Sequence, residues 1–221
     1  MTALLTMILA AAAVTAPAPA HTEHWLMELS TGGAYVTDRS FDVASRTDAL
    51  PKGDLRLGLA PGWLNRHLEL DLGLELDGNS TSTFETWRTG FRSVGLQLGL
   101  RYRQPLGAHF SVYGRLAGLL DFDTLQLSTG DDSLALSQTL LSPGAQLGAG
   151  VEVIVASWDR GRFGFNLEVG YALHFAPAHF DGLKPDLDES ADPAPVAFAS
   201  VDAGKVDVSG IRWRLGAVLH F

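Results

Sequence analysis

The side chains able to do chemistry are charged residues set two apart in an otherwise apolar chain. Glu69, Asp71 and Glu75 follow one another in this way, as do Arg212 and Arg214. Glu28, Arg56, Arg101, Arg115, Glu152 and Glu168 stand singly between apolar neighbours. Carboxylates and guanidinium groups held in a confined space pair through forked hydrogen bonds, so these eleven residues read as an internal charge network. The same set would line a narrow path for ions or protons if space remained between the partners. His174, in Tyr171-Ala172-Leu173-His174-Phe175-Ala176, invites a hydrolase reading. A nucleophilic serine needs a histidine within hydrogen-bond reach and a carboxylate to orient it, and no serine follows this histidine. His174 is therefore expected to hydrogen-bond with Glu168. Asp186-Leu187-Asp188-Glu189 offers oxygen ligands for calcium, but the EF-hand spacing and its glycine are missing. Pro185, Pro193 and Pro195 make that region an extended, solvated surface loop instead. No catalytic residue, metal site or cofactor is expected. The absence of cysteine excludes disulfides, thiol catalysis and lipid acylation at cysteine.

What positions these charges is a period of two. From His67 to Asp77 the chain reads His-Leu-Glu-Leu-Asp-Leu-Gly-Leu-Glu-Leu-Asp, with leucine at every even position. A helix would scatter those leucines around its circumference, whereas a strand puts them on one face. The same alternation recurs around Trp25–Ser30, 54–59, 93–102, 110–116, 145–153, 163–174 and 211–221, which gives eight strands. Short turns near 61–62, 105–107 and 158–161 alternate with long connections at 37–52, 78–90, 123–142 and 176–207. Short turns at one end and long loops at the other describe an up-and-down antiparallel meander.

The first twenty residues carry no charged side chain, and an apolar stretch from Ala3 to Val14 is too short to span a bilayer as a helix. Ala18 and Ala20 suit a cleavage site before His21, so residues 1–20 read as a cleavable signal peptide and 21–221 as the exported domain. With 16 basic against 25 acidic residues and a net charge of −9, the chain lacks the basic surface that nucleic-acid binding demands. Acids gather in the last two long connections, at Asp123, Asp131, Asp132 and through 181–207.

Two features orient the strands. Their polar face combines glycine with both signs of charge and is nearly free of lysine, unlike a solvated face. Aromatic residues gather toward strand ends: Trp25, Trp63, Tyr102, Phe110, Trp158, Phe163 and Phe221 at the short-turn end; Tyr35, Phe84, Trp87, Phe91, Phe122, Phe175 and Trp213 at the other. The apolar face thus points to lipid between two interfacial girdles.

The closing strand, Ile211 to Phe221, ends on phenylalanine after alternating apolar residues. In this the chain resembles the small eight-stranded bacterial outer-membrane β-barrels of the OmpA/OmpX type. The resemblance implies an all-β, eight-stranded antiparallel up-and-down transmembrane barrel in the outer membrane. It also implies that Trp213, Leu215, Leu219 and Phe221 form the assembly signal read by the barrel-assembly machinery through strand addition. The expected role is structural or interactive, with a lumen filled by side chains and acidic loops outside. The expected partners are outer-membrane lipids and lipopolysaccharide, with no nucleic acid, and the chain is expected to be a monomer. A narrow channel for ions or small solutes is the alternative, followed by a lipid-modifying outer-membrane enzyme or a soluble periplasmic β-barrel with inverted faces.

Overall fold

A computed structural model describes residues 25–37, 49–61, 67–84, 87–129, 135–185 and 202–221. The leader 1–20 and the Asp186–Glu189 run lie outside these residues. Seven long strands come first: β1 (Trp25–Val36), β2 (Ala49–Leu59), β3 (Leu68–Phe84), β4 (Trp87–Pro105), β5 (Phe110–Thr129), β6 (Ala135–Trp158) and β7 (Gly161–His174). Three short pieces follow, β8 (Ala178–Phe180), β9 (Lys184–Pro185) and β10 (Gly204–Val206), and then the last long strand, β11 (Gly210–His220).

Each long strand pairs antiparallel with its neighbours in sequence, and β11 pairs with both β7 and β1. The ring is therefore closed, with eight strands and no free edge along its paired span. The two chain ends meet at the closure, where Trp25 N–H donates to the Phe221 carbonyl at 3.0 Å and Phe221 N–H to the Trp25 carbonyl at 3.1 Å. Such closure satisfies every paired backbone donor and acceptor without water, which is the condition for crossing a bilayer in strands.

The alternation of side chains follows the sequence pattern. Leu70, Leu72, Leu74 and Leu76 point outward, and Glu69, Asp71, Glu75 and Asp77 are buried inside. Leu98, at the middle of β4, is 67 % exposed. A ring of leucines open to the surroundings is untenable in water, where contiguous apolar patches stay small. It is stable in lipid. The soluble barrel with inverted faces is overturned by this arrangement, since its apolar residues would have to point in.

Three expectations are corrected. Residues 78–90 and 123–142 are largely strand, because β3 to β6 run 17, 19, 20 and 24 residues and pair well past the short β1, β2, β7 and β11. Serine, threonine and glutamine replace the apolar alternation there, so the pairing carries no hydrophobic signature. Phe91 does not join the outer girdle; it is buried inside with Leu125 and Leu136. The final connection is not wholly a solvated loop. Its β8 and β10 form a two-stranded ribbon, and β9 pairs with β6 through Leu136 and Ser137.

The lipid-facing assignment predicts the effect of one charge. Leu98→Arg should destabilise the vesicle-inserted protein by about 2–4 kcal/mol, as charges do at mid-membrane on a barrel's outer face. Denaturant titration of protein folded in vesicles measures this, and an unchanged midpoint would contradict the outward face.

Candidate functional site: the charged interior and its lid

All eleven residues of the expected network are buried. Several of their partners sit on strands that are not neighbours in the ring, as Arg101 of β4 does with Glu28 of β1 and Arg212 of β11 with Glu75 of β3, which only contacts through the interior can achieve. Near the short-turn end, Arg103 of β4 reaches Glu69 of β3 at 2.8 Å and Glu152 of β6 at 3.1 Å. His220 of β11 lies 3.0 Å from the same Glu152.

At mid-height the side chain of Arg56, with 0 % exposure, lies between three carboxylates: Glu28 at 3.2 Å, Asp54 at 3.0 Å and Glu168 at 3.3 Å. Arg101 donates to Glu28 at 2.7 Å and stacks over the Tyr113 ring, 4.5 Å from its centroid. Arg214 donates to Asp54 at 2.6 Å and also pairs with Glu168. Arg115 of β5 donates through Nε to both oxygens of Asp71 of β3 at 3.1 Å. Glycine makes room for this last pair. A Cβ on Gly99 would come within 2.6 Å of the Asp71 oxygens and 2.8 Å of the Arg115 guanidinium.

Farther up, Arg212 donates to Glu75 at 2.7 Å, and Lys52 pairs with both Glu75 and Asp77. His174 lies 2.9 Å from Asp121 of β5, so its partner is not Glu168, as the sequence suggested. Glu168 is instead committed to Arg56 and Arg214 lower down. The backbone N–H of His174 donates to the Ser209 hydroxyl at 2.9 Å. Among the described residues, no cluster of three or more histidines and acids is arranged to hold a metal ion.

Above this level the interior turns apolar. Ala34, Val36, Leu50, Phe91, Leu125 and Leu136 point inward from the upper strands and meet Ala178, Phe180, Leu183, Val206 and Val208 of the last connection. Phe180 and Leu183 are almost fully buried. The Gly182 N–H donates to Gln138 of β6 at 3.0 Å, fixing the ribbon to the wall. The described segments of the last connection, 175–185 and 202–209, thus pack inward above the charged interior.

Lys52, Asp77, Asp121, Asp123, Gln97 and His220 also belong to the interior, and the network expected from sequence lacks them. The signal was present: Lys52 shares the parity of Arg56, Asp77 that of Glu75, and Asp121 that of Arg115. Extending the period of two past the apolar segments would have found them. Asp123, expected as a loop acid, is buried for this reason. Ten buried carboxylates face six buried cations and the partly exposed Arg103. Removing one cation leaves several charges uncompensated, so Arg56→Ala should cost about 3–5 kcal/mol. Urea titration of protein folded in vesicles tests this; a loss below about 1 kcal/mol, the scale of an exposed pair, would show that the network is not tightly coupled.

Comparison with known proteins agrees with the geometry. The profile of the outer membrane protein beta-barrel domain matches residues 6–191. Ail, the attachment invasion locus protein of Yersinia pestis, superposes with a TM-score of 0.52 at 12% identity, covering 91% of this chain and 100% of Ail. A major outer membrane protein from Thermus thermophilus gives 0.51 at 16% identity, with the same coverage of 91% and 100%. At these identities the likeness shows the fold. No curated protein matches the chain. With a closed ring, an apolar outer face and a family match over most of its length, the chain belongs to the outer membrane protein β-barrel family.

Proposed function

We propose that the protein is a closed, non-conducting barrel of the outer membrane whose role is structural and interactive, exerted through its surface connections. The observation that carries this is the reach of Arg56, Arg101, Arg212 and Arg214 across the ring to carboxylates on distant strands. Eight strands enclose a lumen only wide enough for side chains, and these fill it with mutually committed charges. An ion entering would have to displace paired partners, and the apolar lid stands above them. Full-length protein in planar bilayers is accordingly expected to give no discrete conductance steps. Sustained openings of uniform size would overturn the closed reading and favour a narrow channel.

No catalytic role is assigned. His174 is buried beneath the lid and held by Asp121, out of reach of a lipid substrate. Of the described acids of the last connection, Asp181 and Asp202 are exposed and Asp207 partly so, with Asp202 3.5 Å from His179. They suit contact with basic groups on a partner or with divalent cations that bridge lipid phosphates.

The C-terminal strand would carry the assembly signal. Trp213, Leu215 and Phe221 are about half exposed on the outer face and Leu219 partly so, leaving them open to be read before the ring closes. Phe221→Ala should lower the amount of folded, heat-modifiable protein in outer-membrane fractions severalfold without changing synthesis. Unchanged levels would remove the signal from this residue. Residues 1–20 serve as the leader in this reading, so the mature wild-type protein in those fractions begins at His21 and acts as a monomer.

A further inference from the structure

The outer surface above the apolar belt holds a feature that the interior does not explain. Strand register resolves it into rungs across β3 to β6. Leu76, Val94, Phe122 and Leu141 form one outward rung, wholly apolar. The next rung up is Gly78, Arg92, Thr124 and Thr139, followed by Gly90, Gln126 and Ser137, and then by Arg88, Ser128 and Ala135. The change from hydrocarbon-facing to polar residues is thus completed in a single rung. Arg92 stands at that boundary and Arg88 four residues above it, about 13 Å along the strand.

Both arginines are exposed. Among the described residues neither has a carboxylate partner, whereas Arg56, Arg101, Arg103, Arg115, Arg212 and Arg214 each have one. Arg88 and Arg92 are also the only charged residues described on the outer face of the long strands above the belt. A chain of net charge −9 places two cations there, facing outward and without a carboxylate partner among the described residues. Hydroxyl and amide groups accompany them: Thr124 lies opposite Arg92 and shares a hydrogen bond with Thr139, Oγ1 to Oγ1 at 2.8 Å, and Ser128 lies opposite Arg88.

The charge, depth and chemistry match a phosphorylated lipid head group. A guanidinium at the edge of the hydrocarbon layer lies where head-group phosphates lie, and its fork suits phosphate oxygens. Two such groups at different heights, flanked by hydroxyls, fit an extended sugar head group with more than one phosphate better than a single small anion. We infer that the outer face of β4 to β6 holds lipopolysaccharide through the lipid A phosphates, with Arg92 and Arg88 as the anchoring cations and Thr124 and Thr139 as flanking hydroxyls. This site rests on the lipid contact named above and is independent of the closed interior, because conductance and lipid binding are separate measurements.

The test compares full-length protein folded in detergent micelles doped with bisphosphorylated lipid A, with dephosphorylated lipid A or with phosphatidylglycerol, reading binding by native mass spectrometry. Wild type should favour bisphosphorylated lipid A about tenfold over the dephosphorylated form, the scale of a hydrogen bond to a charged group. It should favour it over phosphatidylglycerol as well. The R88Q/R92Q double variant should lose the preference and R160Q, at the short turn, should keep it. Heat-modifiable migration reports folding independently of binding. No phosphate preference in wild type, equal binding of phosphatidylglycerol, or a preference that survives in the folded double variant would overturn the assignment. A wild type without phosphate preference overturns the assignment even if the double variant fails to fold.

Discussion

The constraint on which the structure depends is that no backbone N–H or C=O can be left unpaired in hydrocarbon. A strand satisfies its own groups only through neighbours on both sides, so a sheet that enters lipid must close on itself. Here closure falls to β1 and β11, with Trp25 and Phe221 exchanging hydrogen bonds at the seam. Once the ring is closed, alternate side chains have only two destinations, lipid or lumen. The apolar half goes to lipid, and the polar residues of the alternation are buried in the interior.

That commitment explains the composition of the interior. A buried charge is tolerable only when an opposite charge and hydrogen bonds replace its lost hydration. The arginines meet this need because one guanidinium can serve several carboxylates at once, as Arg56 does with Glu28, Asp54 and Glu168. Glycine is the necessary complement: Gly99 leaves the space in which Arg115 grips Asp71. Charge and smallness therefore combine in the lumen, with buried guanidinium groups each facing one or more carboxylates. Over it the described part of the last connection contributes Phe180 and Leu183, buried against inward apolar residues of the upper strands.

Much of this was legible residue by residue. The leucine alternation of 68–76 revealed both the strand and its lipid face, and the parity of Glu69, Asp71 and Glu75 placed them inside. Legibility ended where apolar residues ended. Above the belt, Thr124, Gln126 and Ser128 face outward into a polar layer, so strand pairing there leaves no hydrophobic alternation and reads as loop. Asp121 and Asp123 were lost for that reason, one unassigned and the other placed in a loop. Phe91 misled in the opposite way: an aromatic near a strand end suggests a girdle, but its parity sends it inward to the lid.

The sequence by itself determined the architecture, because a period of two with charge on one face and leucine on the other has one stable arrangement in a membrane. Within the apolar segments it also determined which residues share the interior, since parity sorts them there. Only the tertiary structure decided who pairs with whom. His174 meets Asp121 rather than Glu168 because β5 and β7 flank β6, where Asp121 lies opposite Ser142 and His174 opposite Gly144, so strand register, not sequence spacing, brings the two side chains to one height. The inward fold of the last connection was likewise invisible, because a few scattered apolar residues become a lid only when a ring of inward Leu50, Phe91 and Leu125 exists to receive them.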